Sequence, residues 1–148
     1  MDEKPTILMV DDSENDLFFL RLAFEKAQFG AALHAAGDGA QAIAYLQGTD
    51  RYSDRAAFPL PTIMLLDLNM PLQNGFDVLT WVRAQSGLKR LSIVVLSASM
   101  HAEDIEKAFD LGATAYLVKP RTLEALVTMI QALRDWVRVA QFPSLKAQ

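Results

Sequence analysis

The sequence contains no cysteine, which excludes disulfides, thiol catalysis and zinc sites built on thiolates. Basic residues are also few: 14 Lys and Arg stand against 18 Asp and Glu, and they form no cluster. A nucleic-acid partner is therefore not expected, because phosphate backbones are bound by basic patches. No apolar run approaches the ~18 residues of a membrane span, and the N-terminus, Met1-Asp2-Glu3-Lys4, is acidic and lacks the apolar region of a signal peptide. We expect a cytoplasmic protein that binds neither nucleic acid nor membrane.

What is present is the composition of a globular protein, with 51% hydrophobic and 22% charged residues. A chain of 148 residues is long enough to bury roughly two-thirds of the surface that its unfolded form exposes. The sequence shows no internal repeat and no low-complexity segment. We therefore expect one domain over residues 1–148, with its core in 5–140, a short C-terminal tail at 141–148 and no output domain.

Short apolar segments alternate with segments of helical period along the chain. The segments with strand character are 6–10, 31–36, 62–66, 92–96 and 115–118. The segments with helical character are 14–28, 40–47, 76–85, 103–111 and, after the capping residue Thr122, 123–139. This alternation predicts a doubly wound α/β fold, a five-stranded parallel sheet with five helices, in the flavodoxin-like strand order 2-1-3-4-5. Residues 48–61, with two closely spaced prolines, predict a loop that holds at most one helical turn.

The segment 62–66 is an apolar run without alternation, which is typical of a strand buried on both faces of a parallel sheet. Asp67 follows it directly and is succeeded by the loop residues Asn69, Pro71 and Gly75. Open α/β sheets bind their ligands at the carboxyl ends of central strands. Asp67 is therefore a candidate site residue, although a carboxylate here is also compatible with the start of a turn.

Four segments distant in sequence end a predicted strand with a polar side chain. These side chains belong to Asp11 and Asp12, to Asp67, to Ser97 and to Lys119. All carboxyl ends of a parallel sheet lie at one edge, so three carboxylates and one ammonium would meet there with a net charge of about −2, which calls for a cation. Such oxygen ligands suit Mg²⁺. A carboxylate can form an acyl-phosphate, and Mg²⁺ and Lys119 would neutralise the transferring oxygens, so Asp67 is a candidate nucleophile for phosphoryl transfer.

Each of these residues also has an ordinary structural interpretation. Asp11 and Asp12 precede a predicted helix and could serve only as N-terminal caps. Ser97 could be a loop hydroxyl, and Lys119 could extend along the surface into solvent. Their joint occurrence at strand ends, with charges of complementary sign, favours a common site.

One family combines these features. The set Asp11-Asp12, Asp67, Ser97-Ala98, Tyr116 and Lys119-Pro120 resembles the signature of the receiver domain of bacterial two-component response regulators, over nearly the whole chain. The resemblance implies that Asp67 accepts a phosphoryl group from a sensor histidine kinase. It also implies that Mg²⁺ is bound by Asp12, Asp67 and the backbone carbonyl of Asn69, with Asp11 acting through a water molecule.

The same resemblance implies roles for the remaining members of the set. Ser97 would donate its hydroxyl to the phosphoryl group, and Lys119 would pair with another phosphoryl oxygen. Tyr116 would be the aromatic residue that turns inward on phosphorylation, and the bond between Lys119 and Pro120 resembles one that is cis in the family. The Asp-Leu-Asn-Met-Pro run, the proline-containing loop before it and the chain length are similar to phytochrome-associated response regulators, so the kinase could be a phytochrome.

The predicted helices suggest partner surfaces. The last one carries two apolar stripes about 110° apart, of which the sheet can bury only one. The second stripe contains Met129, Ala132 and Trp136, and we expect a homodimer there, as in family dimers; a loosely covered alanine-rich flank is the alternative. In the first helix, Phe18 and Phe19 cannot both face the core, and one is a candidate kinase contact.

Two rival functions remain open at this point. A Mg²⁺-dependent phosphatase with an aspartyl-phosphate intermediate would use a similar set of Asp, Ser and Lys. Such enzymes carry a second acid two residues after the nucleophile, where this chain has Asn69. A receiver used only as a scaffold is disfavoured because every charged member of the set is present. We therefore expect a signalling receiver rather than an enzyme.

Overall fold

Five parallel strands form one sheet in the order β2-β1-β3-β4-β5, which confirms the predicted fold class and strand order. The computed structural model describes residues 4–146. The strands are β1 (Thr6–Val10), β2 (Ala32–Ala36), β3 (Ile63–Leu66), β4 (Ser92–Ser97) and β5 (Ala115–Val118). The helices are α1 (Glu14–Lys26), α2 (Gly39–Gln47), α3 (Gly75–Ala84), α4 (Ala102–Asp110) and α5 (Leu123–Val139).

The sheet is covered on both faces by two separate apolar cores. Alternate side chains of each strand point to opposite faces, so Leu8 belongs to the first core, beneath α2, α3 and α4, whereas Ile7 and Met9 belong to the second core, beneath α1 and α5. β1 and β3 are buried along their whole length, while the edge strand β2 is only partly buried. This difference explains why the central strands are continuous apolar runs.

The register of the strands places their carboxyl ends side by side. Val10 pairs with Leu66, Leu66 with Val95, and Ser97 with Val118. The ladder continues one residue further, because the Asp67 N–H donates to the Val10 carbonyl at 2.9 Å. Asp67 is therefore held by the backbone of the central strands rather than by a free loop.

The start of α3 packs directly against this position. A Cβ atom at Gly75 would lie 2.4 Å from the Asp67 carbonyl oxygen, so only glycine permits the close approach. Asn74 caps the helix and forms a reciprocal capping box with Asp77. The loop that follows β3 is thereby fixed at both ends.

Helix α1 begins at Glu14, as predicted, but ends two residues earlier than predicted. The Ser13 hydroxyl accepts the Asp16 N–H at 3.2 Å, but the reciprocal bond of a capping box is not formed, because the Ser13 N–H donates to Asp11 Oδ1 at 2.9 Å. The helix ends at Lys26 rather than at residue 28, since Gln28 adopts a positive φ of 53°. Because the Ser13 N–H is bound to Asp11, the Asp16 carboxylate takes no part in capping α1.

The predicted loop between α2 and β3 contains one 3₁₀ turn, Asp50–Tyr52, as expected. Arg55 closes the loop under the end of α2: its guanidinium donates to the carbonyls of Tyr45 and Leu46, both at 2.7 Å, and to that of Phe58 at 3.2 Å. The Tyr45, Tyr52 and Phe58 rings pack together with centroids 5.2–5.9 Å apart. The loop is therefore an ordered extension of the first core.

The residues after α5 return along the edge of the sheet at which the strands begin. The Phe142 ring packs edge-on against Trp136 with centroids 5.4 Å apart, and Leu145 contacts the first core. The Lys146 N–H donates to the Gly87 carbonyl at 3.3 Å. Of the helices in residues 4–146, none combines the length and apolar character needed to cross a membrane.

Candidate functional site

Asp67 lies at the carboxyl end of β3 and is only 5% exposed. Burial raises the pKa of its carboxyl group to about 6, against an ordinary value of 3.8. The charge of Lys119 opposes this rise in pKa and the charge of Asp11 adds to it, with smaller effects from the Asn69 N–H, which lowers the pKa, and Asp12, which raises it. The central carboxylate is therefore poorly solvated and surrounded by charge.

Three carboxylates converge at this point. Oxygen atoms of Asp11, Asp12 and Asp67 all lie within 4.8 Å of one another, and within residues 4–146 they form the one acidic group of this kind. Asp11 and Asp67 are buried, whereas Asp12 is exposed. This is a set of hard oxygen donors, partly open to solvent, and it fits a divalent cation such as Mg²⁺ that retains several water ligands. The role of the Asn69 carbonyl as a ligand stays a prediction.

Lys119 points into this cluster rather than into solvent, and its side chain is 19% exposed. Its Nζ lies 2.8 Å from Asp11 Oδ2, 2.8 Å from Asp16 Oδ2 and 3.6 Å from Asp67 Oδ1. Burial lowers the pKa of the ammonium, but hydrogen bonds to Asp11 and Asp16 and the charge of Asp67 more than offset it, so the net shift is upward. The lysine is therefore permanently charged in this site.

Ser97 ends the neighbouring strand and is fully buried. Its carbonyl accepts the Lys119 N–H at 2.8 Å, which ties the ends of β4 and β5 together. Its hydroxyl accepts the Ser99 N–H at 3.2 Å, and a hydroxyl that accepts in this way keeps its own hydrogen to donate. The peptide bond between Lys119 and Pro120 is trans, as are all bonds in the described part of the chain, so the expected cis bond is absent. The trans form is the ordinary preference of an X–Pro bond.

Tyr116 is partly buried against the first core, and its hydroxyl donates to the Ser99 carbonyl at 2.9 Å. The Ser99 hydroxyl in turn donates to Asp104 on α4 at 2.6 Å. Ser99 therefore connects Ser97, Tyr116 and α4. The rotation of Tyr116 on phosphorylation stays a prediction.

Asp16 is the site residue that the sequence did not reveal. Its position in the first turn of α1 is equally typical of a helix cap, and only the spatial arrangement shows its ion pair with Lys119. Two features of the chain could have suggested it. Asp16 follows the aspartate pair closely, and an acid on that turn faces the same sheet edge.

The second apolar stripe of α5 borders a shallow groove of about 300 Å³ beside the edge strand β5. The groove is lined by Val94, Thr114, Ala115, Leu117, Met129, Ala132, Leu133 and Trp136. Ala132 is exposed, while Met129 and Trp136 are partly buried, Trp136 beneath Phe142 of the same chain. The homodimer on this stripe stays a prediction.

A doubly wound parallel sheet that carries an acidic cluster and a partly buried lysine at its carboxyl edge defines an α/β domain of the receiver type. The family model of the response regulator receiver domain matches residues 7–131. The chain belongs to this family, and it is therefore a signalling regulator of the two-component type.

Individual relatives agree with this assignment. Response regulator Rcp1 of Synechocystis is 32% identical over 139 residues, which cover 93% of this chain and 92% of Rcp1. The crystal structure of phosphorylated RcpA, a cyanobacterial phytochrome response regulator, has a TM-score of 0.88 and 29% identity and covers 96% of this chain and 100% of that one. The Mn²⁺-bound form of Rcp1 has a TM-score of 0.83 and 31% identity and covers 95% of this chain and 99% of that one.

Proposed function

We propose that this chain takes a phosphoryl group from a sensor histidine kinase onto Asp67 in a Mg²⁺-dependent reaction. The observation that carries the proposal is the convergence of Asp11, Asp12 and Lys119 on the buried Asp67 carboxylate. A carboxylate oxygen of Asp67 would attack phosphorus, and the P–N bond of the phosphohistidine would break. The bonding electrons would stay on the imidazole nitrogen. If the second ring nitrogen is protonated, neutral imidazole is released directly; if it is not, the released nitrogen takes up a proton. An acyl-phosphate on Asp67 is the product.

The surrounding residues have separate tasks in this reaction. Asp12, Asp67, the Asn69 carbonyl and, through water, Asp11 would hold Mg²⁺, which supplies positive charge to the transferring oxygens when it is bound. Lys119 would donate to a second phosphoryl oxygen, and its raised pKa keeps it protonated for that purpose. The Mn²⁺-bound relative supports a divalent cation here.

Ser97 would transmit the phosphorylation of Asp67 to Tyr116 and α4. A phosphoryl oxygen that draws the Ser97 hydroxyl weakens its bond to the Ser99 N–H, and Ser99 is also the residue whose carbonyl holds Tyr116. Phosphorylation would therefore favour a different position of Tyr116 and of the start of α4. Differential contacts of this kind supply about 1–3 kcal/mol of coupling.

The proposed role is that of a cytoplasmic receiver, not of an enzyme with a small substrate. Asn69 stands where the rival phosphatases carry a general acid, and an amide cannot protonate a leaving group. The similarity to RcpA, a phytochrome response regulator, favours a phytochrome as the sensor kinase. The exposed rings of Phe18 and Phe19, with centroids 5.5 Å apart on α1, offer that kinase an apolar contact.

The proposal is tested by incubating the protein with acetyl phosphate and Mg²⁺ and measuring its intact mass. Wild type should gain one phosphoryl group, and Asp67→Asn should gain none, because its amide is not a nucleophile. Asp77→Asn, which changes an exposed acid of the α3 cap, serves as the control and should still be phosphorylated. A wild type that stays unmodified but hydrolyses a phosphomonoester would support the phosphatase instead.

We further propose that the protein forms a homodimer through the groove beside β5, with Met129, Ala132 and Trp136 at its centre. Ala132→Glu should abolish the dimer, because it places a charge in an apolar contact without removing packing inside the chain. Trp136→Glu should do the same, with an added loss from Phe142. Light scattering would measure the mass, with Gln131→Glu, which lies off the groove, as the control. A dimer that survives both substitutions excludes this face.

A further inference from the structure

The contacts of Lys119 are unequal in a way that the proposed reaction does not explain. Its ammonium makes two hydrogen bonds of 2.8 Å, to Asp11 and Asp16, while its 3.6 Å distance to the acceptor Asp67 exceeds hydrogen-bond range. An ammonium has three hydrogens, and two of them are directed at carboxylates other than the acceptor. The lysine is therefore drawn toward α1 in the structure described.

The two competing carboxylates differ in how easily they can release the lysine. The Asp11 side chain is 4% exposed, so loss of its partner would leave a buried charge uncompensated. The Asp16 side chain is 43% exposed and can exchange the ammonium for water, as exposed ion pairs do at small cost. The contact that gives way when Lys119 moves is therefore the one with Asp16.

The Asp16–Lys119 pair also joins two separate elements. Asp16 belongs to the first turn of α1, and Lys119 begins the connection from β5 to α5. A cavity of about 260 Å³ lies between these elements, and Phe19, Pro120 and Leu123 are among its lining residues. The ion pair thus links the start of α1 to the β5–α5 connection at the edge of an incompletely filled space.

We propose that Asp16 is a positioning residue that competes with the phosphoryl group for Lys119. In the unphosphorylated protein it holds the ammonium near α1. When a phosphoryl group on Asp67 takes the lysine, Asp16 is released into solvent and α1 is uncoupled from the β5–α5 connection. This inference rests on the proposed function, because it concerns the same lysine and the same acceptor.

The test uses the full-length protein and trifluoroberyllate, a phosphoryl analogue that binds an aspartate carboxylate with Mg²⁺. Asp16→Asn keeps the shape of the side chain and removes its charge, and it should bind trifluoroberyllate about three- to fivefold more tightly than wild type, the effect of one half-exposed ion pair. Glu14→Gln removes the same charge from the same helical turn. The four ion pairs within residues 4–146 do not include Glu14, so this control should bind within about twofold of wild type.

A spectroscopic readout separates competition for Lys119 from a general change in charge. The ¹⁵N resonance of the Lys119 ammonium should differ between wild type and Asp16→Asn without ligand. The two resonances should coincide once trifluoroberyllate is bound, because Asp16 has then released the lysine in both proteins. Glu14→Gln should give the wild-type resonance in both states.

The outcomes are distinguishable. If wild type binds trifluoroberyllate and Asp16→Asn binds it equally or more weakly, the role of Asp16 is wrong and the proposed function stands. A Lys119 resonance that still differs between the two proteins in the bound state also overturns the inference. If wild type neither binds trifluoroberyllate nor accepts a phosphoryl group, the proposed function fails and the inference fails with it.

Discussion

Replacing Arg83 with methionine is expected to lower the free energy of unfolding by about 3 kcal/mol. The Arg83 guanidinium makes five hydrogen bonds to four backbone carbonyls. It donates to Gly112 through both Nε and Nη2 at 3.0 and 2.7 Å, and through Nη1 to Leu88, Lys89 and Leu91 at 3.4, 3.0 and 2.8 Å. It thereby joins α3 to the connections that precede β4 and β5. Methionine fills much of the same space, so the loss would come from carbonyls left without a donor.

Urea denaturation followed by circular dichroism would measure this effect. Arg90→Met, at an exposed position seven residues further on, is the matched control and should unfold within about 0.5 kcal/mol of wild type. Arg83→Lys should recover only a small part of the loss, because an ammonium on a single stem cannot reach four carbonyls in a fork. An Arg83→Met protein with the wild-type urea midpoint would show that water replaces the guanidinium at no cost.

The sheet and the central part of the site follow from the sequence for a physical reason. Strands buried on both faces must be continuous apolar runs, so residues 6–10, 62–66 and 92–96 are visible without any structure. Parallel strands also end at one edge, and this fixes Asp11, Asp67 and Lys119 near one another before any coordinate is known. The apolar pattern and the sheet topology are therefore enough to predict these strands and the convergence of the side chains that follow them.

Other features depend on long side chains that leave no periodic signal. Arg55 and Arg83 each bind carbonyls of segments that no pattern relates to them, and Gly112 lies 29 residues from Arg83. The sequence is compatible with two roles of the Asp16 carboxylate, as a helix cap and as an ion-pair partner. Which role it takes depends on whether the Ser13 N–H already has another acceptor. Sequence patterns report which face a residue lies on, but not which of several nearby partners its side chain binds.

The Asp67→Asn protein is expected to be about 3 kcal/mol more stable than wild type at pH 8 in metal-free buffer. Burial raises the pKa of Asp67 to about 6 in the folded protein, while the unfolded chain titrates near 3.8. Between these values the folded state holds a proton that the unfolded state has lost, so wild-type stability falls as the pH rises through this window. Asparagine carries no such proton, so the advantage of the variant should be absent below about pH 4 and complete above about pH 6.

Mg²⁺ provides the second arm of this measurement. A cation that binds only the folded protein stabilises it by mass action, and wild type offers it one more carboxylate than Asp67→Asn does. Saturating Mg²⁺ at pH 8 should therefore narrow or reverse the difference between the two proteins, whereas Asp110→Asn on the exposed end of α4 controls for the loss of one negative charge. If the difference in stability were the same at pH 4 and pH 8, the buried charge of Asp67 would not be its source. The acceptor would then not be held at the expense of stability, and the reactivity proposed for it would need another physical basis.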